Sequence, residues 1–153
     1  MEETLTIINT LLVEIFNDIL TIEEESLRNG RFHNVSVKEV HTIEAIGMYG
    51  TKSMSEVAKV LNITVGTLTV AINNLVKKGY VERFRSETDR RVVKIGLTKQ
   101  GRLLYRVHAN FHRNMVKTTI EGLSPEEEMV LCKSLEKLNA YLIHKYNLSK
   151  GEK

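Results

Sequence analysis

Thr67, Thr69, Val70, Asn73, Asn74 and Lys77 fall on one side of a 3.6-residue period, with Val65, Leu68, Ile72 and Leu75 on the other. The first set carries short donors, acceptors and methyl groups. These are the groups that read base edges in a DNA major groove, where adenine sets a donor beside an acceptor and thymine shows a methyl. An amide such as that of Asn73 can pair bidentately with adenine, and Thr67 is its companion in sequence preference. Lys77, at the end of the run, suits a phosphate and reads no base. A second cluster follows within twenty residues: Arg83, Arg85, Arg90, Arg91 and Lys94, around Ser86-Glu87-Thr88-Asp89. Guanidinium groups suit a narrow, electronegative minor groove.

The charge distribution agrees. Residues 1–50 carry 3 Lys/Arg against 9 Asp/Glu, residues 51–120 carry 14 against 4, and residues 121–153 carry 5 against 6. A net charge of +3 therefore conceals a strongly basic middle. Such a stretch is a nucleic-acid footprint, or at its plainest a solvated basic face. The chain has 153 residues, 42% of them apolar and 27% charged, which suffices for a core without staples. One cysteine excludes a disulfide framework and fits a reducing cytoplasm. No apolar run approaches the ~20 residues of a membrane helix, and Met1-Glu2-Glu3 is acidic where an export signal would be basic. A cytoplasmic protein without a membrane partner is expected.

The elements that must carry these groups can be read from period and caps. Leu5, Ile8, Leu12, Ile15, Ile19 and Ile22 are spaced three and four apart, a heptad-like seam. Leu11, Phe16, Leu20 and Leu27 widen it, beyond what one small core can cover, and Gly30 ends the segment. Ser36 can cap a second helix. Ser53 with Glu56 forms a capping box for a third, short helix. Asn62-Ile63 is a brief turn. Thr64 caps the helix bearing the base-reading set and is counted with that set as a DNA-binding candidate; Gly79 terminates the helix. The period then changes to two over Tyr80–Arg85 and Val92–Leu97, which makes a hairpin. Thr98 caps a long helix with Leu104, Val107 and Phe111 inward. Ser124-Pro125-Glu126-Glu127 opens a last helix with Leu131, Leu135, Leu138 and Leu142 on one face. The tail Ser149–Lys153 is expected to fray.

The order is a helix-turn-helix followed directly by a basic hairpin, a winged helix-turn-helix. The fold class expected is mainly α with a small β-hairpin wing, in a homodimer. One domain spans residues 1–153, with about 1–30 and 99–147 as dimerisation helices and about 36–97 as the DNA-binding winged helix.

Other constellations carry less. His108 and His112 stand four apart on one helix, a spacing that can bind metal, but Ala109 follows His108 where a His-Glu-x-x-His motif needs glutamate. They are read as surface histidines or as part of a ligand site, and no metal is expected. Cys132 reads as a small buried hydrophobe. The runs Glu23–Glu25 and Glu126–Glu128 read as solvated faces or complements to helix dipoles. No phosphate loop, nucleophile elbow or paired-carboxylate motif occurs, so neither an enzyme nor a cofactor is expected. A winged helix used only for protein contacts would lack arginines at its wing. Steep salt-dependent retention on heparin would separate the two.

The wing Arg85-Ser86-Glu87-Thr88-Asp89-Arg90-Arg91-Val92-Val93, followed by Leu97-Thr98-Lys99-Gln100-Gly101, resembles that of MarR-family transcriptional regulators. Leu75-Val76-Lys77-Lys78-Gly79-Tyr80-Val81 resembles the family's link from recognition helix to wing. The helix order matches over nearly the whole chain, including terminal helices that form the dimer. The resemblance implies that Asp89 orients Arg91, and that Arg91 with Arg90 enters the minor groove; a turn merely pinned by Asp89 is compatible with this.

Ser36–Ile43, Thr64–Thr69 and Arg83–Glu87 resemble the FabT-type branch, which represses fatty-acid-synthesis genes in Gram-positive bacteria. That resemblance implies a repressor on a palindromic operator, strengthened by long-chain acyl groups on acyl carrier protein. Arg28, Arg31 and His33 follow the branch's pattern and could meet an acidic carrier, or simply complement a helix end. Phe16, Leu20, Ile43, Ile46, Leu104, Val107 and Phe111 are candidates for an acyl tunnel, each equally an ordinary core residue. The alternative within the family is a repressor released from DNA by a phenolic or drug-like ligand.

Overall fold

A computed structural model describes residues 1–148; the tail expected to fray lies outside them. Along the described chain run α1 (Glu2–Arg28), α2 (Val37–Ile46), β1 (Lys52–Ser53), α3 (Met54–Leu61), α4 (Val65–Lys77), β2 (Val81–Arg85), β3 (Val93–Leu97), α5 (Lys99–Ile120) and α6 (Pro125–Tyr146). The chain divides into two compact units, Met1–His41 and the part from Thr42 onward.

In the first unit, the seam residues Leu5, Ile8, Leu12 and Ile15 are all exposed. By length and composition α1 is apolar enough to cross a membrane. No continuous apolar run reveals this, because Thr and Asn interrupt the apolar residues without adding charge. Glu23 is buried, and its carboxylate lies 3.7 Å from the His41 imidazole. Ser36 and Glu39 form a reciprocal box at the start of α2. The Ser36 N–H donates to the Glu39 carboxylate at 2.9 Å, and the Glu39 N–H donates to the Ser36 hydroxyl at 3.2 Å.

The second unit holds the winged helix. Ser53 and Glu56 make the expected box on α3. Asn62 takes a left-handed conformation (φ 53°) and ends it. Thr64 caps α4 through its hydroxyl, which accepts from the Thr67 N–H. The chain bends by 106° between α3 and α4, within the range of helix-turn-helix pairs. Val57, Leu68, Ile72, Leu75, Tyr80, Val81, Ile95 and Leu97 are buried. Val65, expected inside, is 43% exposed, because the first turn of α4 extends past the core.

The sheet has three strands in the order β1-β3-β2, all antiparallel. Two were expected; β1 adds Lys52 opposite Ile95 and Ser53 opposite Lys94. Gly79 sits at φ +83°, a conformation that favours glycine, and lets the chain leave α4 for the wing. Thr98 and Ser124 cap α5 and α6 as expected, the latter with Glu127 and Pro125.

Two assignments on the last helices are corrected. Val107 is 48% exposed, whereas His108 is buried between Leu104 and Phe111 in the chain. The imidazole is satisfied there: its Nε2 lies 3.0 Å from the Nε2 of His112 and 3.5 Å from the Glu44 carboxylate. Cys132 is exposed, since α6 has no buried residue and leaves its apolar face uncovered.

Candidate nucleic-acid interface

Helix α4 buries Leu68, Ile72 and Leu75 and turns Thr67, Thr69, Val70, Asn73, Asn74 and Lys77 outward, all of them exposed. Val70 is 63% exposed, unusual for valine on a packed helix and suited to a thymine methyl. Thr64 and Thr67 are tied to each other at 2.9 Å between hydroxyls. The Thr69 hydroxyl donates back to the Val65 carbonyl at 2.8 Å, so its methyl is the outward group.

Asn73 differs from the expectation. Arg83, on β2, donates from Nη2 to Asn73 Oδ1. Adenine reading needs that oxygen as an acceptor, and here a guanidinium already engages it. The link was invisible in the sequence, since the partners lie ten residues apart on a helix and a strand.

The wing is β2, β3 and the turn between them. Arg85 pairs with Val93 at its outer end. The turn is wired locally. Ser86 N–H donates to Val92 O at 3.1 Å, and Val92 N–H donates to Asp89 O at 3.0 Å. Asp89 Oδ1 accepts from the backbone N–H of Arg91 at 3.0 Å. The carboxylate therefore sets the backbone that carries Arg91, and its bond is not to the guanidinium. Arg90 and Arg91 are exposed at the tip. Lys94 is half-buried, and its charge acts with that of Lys52 on Glu56. The Glu56 carboxyl is held below the usual carboxylate range chiefly by the Ser53 N–H, then by the Ser53 hydroxyl and these two lysines.

The remaining expected site residues separate clearly. Arg28, Arg31 and His33 are exposed, with the Arg31 guanidinium 5.9 Å from the Phe32 ring centre. Ile43, Ile46 and Leu104 have no exposed surface and are core. Leu20 and Phe111 are half-buried, and Phe16 and Val107 are exposed. Leu131, Leu135, Leu138 and Leu142 are exposed along α6.

A recognition helix presenting uncharged tips, beside a wing tipped by two arginines, is an arrangement for duplex DNA. The MarR family model matches residues 35–93, from the approach to α2 through the wing. Streptococcus pneumoniae FabT, solved in complex with DNA, is 50% identical, over 88% of this chain and 94% of that one, with a TM-score of 0.85. The chain belongs to the MarR family. The HTH-type transcriptional regulator YfiV of Bacillus subtilis (strain 168), itself uncharacterised, is 28% identical over 109 residues, 71% of this chain and 68% of that protein. The reduced form of MarR from E. coli shares the fold at 23% identity, with a TM-score of 0.69 over 85% of this chain and 94% of that one. This MarR-family protein is a DNA-binding transcriptional regulator and not an enzyme.

Proposed function

We propose that this MarR-family regulator is a homodimeric repressor of fatty-acid-synthesis genes whose hold on its operator is strengthened by long-chain acyl-acyl carrier protein. The observation that carries the reading is the likeness to FabT, at 50% identity over nearly the full length of both chains. The single MarR-type domain uses about residues 36–97 for DNA and the terminal helices for its partner copy, in the cytoplasm. Leu5, Ile8, Leu12 and Ile15 on α1, and Leu131, Leu135, Leu138 and Leu142 on α6, stand uncovered in the single chain. A second copy supplies the cover that such faces need in water. Two copies would set their α4 helices about one duplex turn apart, ~34 Å, on an imperfect palindrome.

Arg28, Arg31 and His33 form an exposed basic group that suits the acidic surface of a carrier protein. Its docking should weaken with salt. The acyl chain adds ~0.8 kcal/mol per buried methylene, so longer chains should act at lower concentration until their site is full. A carrier that strengthens DNA binding must itself bind more tightly when DNA is present. The test is a band-shift titration on a fatty-acid-synthesis promoter with carriers bearing eight-, twelve-, sixteen- and eighteen-carbon chains. Affinity for DNA should rise with length. A flat response, or release by the longest chain, would replace this reading with that of a repressor released by its ligand.

A further inference from the structure

We propose that Arg83 is a positioning residue for base recognition: it turns Asn73 into a donor-only reader, so that this position of α4 selects guanine and not adenine. The inference rests on the DNA-binding reading of α4 and specifies its chemistry.

The geometry begins with strand alternation. In β2, Val81, Arg83 and Arg85 share one face, and Glu82 and Phe84 share the other. Val81 is buried, and so is Ile95, the residue directly opposite Arg83 on β3. Arg83 therefore leaves the strand on the face that packs against the helices. Its side chain runs from this apolar ground to α4, where Nη2 meets Asn73 Oδ1. Both residues are exposed, so the bond lies on the surface that would face the groove.

The chemistry follows from the donor inventory. A guanidinium has five N–H donors and no acceptor, so its partner on Asn73 can only be the oxygen. The bond thus fixes which way the amide points. Nδ2, with two donors, is left for the DNA. The Arg83 N–H groups not engaged by Asn73 add further donors and a positive charge beside it. Guanine presents two acceptors, N7 and O6, on its major-groove edge. Adenine presents an acceptor and the N6 donor, and that donor would approach an oxygen already claimed by a cation. The pair is therefore matched to guanine. Thr67 is bonded to Thr64 and keeps its own reading.

The experiment starts from a pool of random-sequence duplexes selected with the wild-type protein. Every position of the resulting half-site is then varied through all four bases. Wild type, Arg83→Ala, Arg83→Lys, Asn73→Ala and the Arg83→Ala/Asn73→Ala double variant are titrated on each. Wild type should prefer guanine at one position per half-site by about 5- to 150-fold, the range of a good bidentate pair. Asn73→Ala should flatten preference at that position, Arg83→Ala should lose the guanine preference and shift it toward adenine because the amide oxygen is released, and the double variant should be as flat as Asn73→Ala. Arg83→Lys, which also donates to an amide oxygen, should retain guanine preference in part. A merely electrostatic Arg83 would lower affinity for every sequence alike and leave preferences intact, which would overturn the proposal. Adenine preference in the wild type at the position sensitive to Asn73 would overturn it too. Failure of the wild type to enrich any sequence would instead overturn the DNA-binding reading beneath it.

Discussion

Replacing Asp89 separates wing geometry from wing charge. Asp89→Ala removes one negative charge from each wing, and charge counting alone predicts tighter binding to DNA. That gain is small. At ~10 Å from a phosphate in water, one unit charge is worth about 0.4 kcal/mol, reduced about threefold by one Debye length at 0.1 M salt. The loss is larger. Asp89 Oδ1 holds the backbone N–H of Arg91 at 3.0 Å, and a hydrogen bond of this kind contributes about 0.5–1.5 kcal/mol net. DNA would have to restore the lost order in both wings of a dimer, about 1–3 kcal/mol together. Asp89→Ala should therefore weaken operator binding by roughly 3- to 100-fold at 0.1 M salt. Asp89→Asn offers the sharper comparison, because it keeps an Oδ1 acceptor and loses only the charge. It should bind as well as wild type or slightly better. Fluorescence anisotropy on an operator duplex at several salt concentrations would measure all three. Tighter binding by Asp89→Ala, or an Asp89→Asn variant as weak as Asp89→Ala, would refute the argument.

Arg91→Ala should lower the slope of log affinity against log salt by roughly one unit per half-site, read from the same titrations; an unchanged slope would remove Arg91 from the phosphate-facing set. Ile15→Asp should yield monomers in sedimentation at micromolar concentration, since the dimer would bury an unpaired charge at a cost of several kcal/mol. Gly101→Ala would set a Cβ 2.1 Å from the Tyr80 carbonyl oxygen, a backbone atom, so it should lose at least the about 1–3 kcal/mol of ordinary overpacking in urea denaturation. Ser53→Ala should lose about 1 kcal/mol at neutral pH. Because the folded state lowers the Glu56 pKa below its ordinary 4.5, the box contributes fully above that value and fades as pH falls through the lower, folded one. The gap between wild type and Ser53→Ala should accordingly narrow in acid, and a gap constant down to pH 2 would exclude Glu56 from the effect.

What could be read from the chain was whatever depends on near neighbours. The hydroxyl at Ser53 and the carboxylate three residues on announce a helix start, as do Ser124 and Glu127, and the hydroxyls of Thr64 and Thr98 announce theirs without a carboxylate. The hairpin showed itself by period and Gly79 by its place after a helix. Strand β1 did not, because two residues cannot display a period of two. Val107 masks His108 in the sequence, since both follow Leu104 at near-helical spacing and hydrophobicity favours valine. A buried histidine becomes acceptable only when its partners are seen, and Glu44 lies on another helix. The same limit hid Arg83 behind its obvious role as one of several basic wing residues.

The base of the wing bears on how a ligand could act at all. Tyr80 N–H donates to Leu75 O at 2.9 Å, which joins the wing to the end of α4. Thr98 N–H donates to Tyr80 O at 3.1 Å, and the Thr98 hydroxyl donates to Gly79 O at 2.7 Å. The same hydroxyl accepts from Gly101 N–H at 3.1 Å, and Arg102 donates to Leu97 O at 2.8 Å. Gly101 lets the first turn of α5 lie directly against the Tyr80 carbonyl. The end of α4, both long strands and the start of α5 are thus joined at one junction by backbone groups, the Thr98 hydroxyl and the Arg102 guanidinium. These bonds oppose movement of the recognition helix against the wing. Within one chain there is then little for a ligand to adjust. On the reading proposed above, a dimeric regulator built this way would be governed through the spacing between two copies, which either matches one duplex turn or does not. An acyl chain that strengthens DNA binding would have to favour the matching spacing by differential affinity, and the deeper it is buried, the larger the shift it can impose.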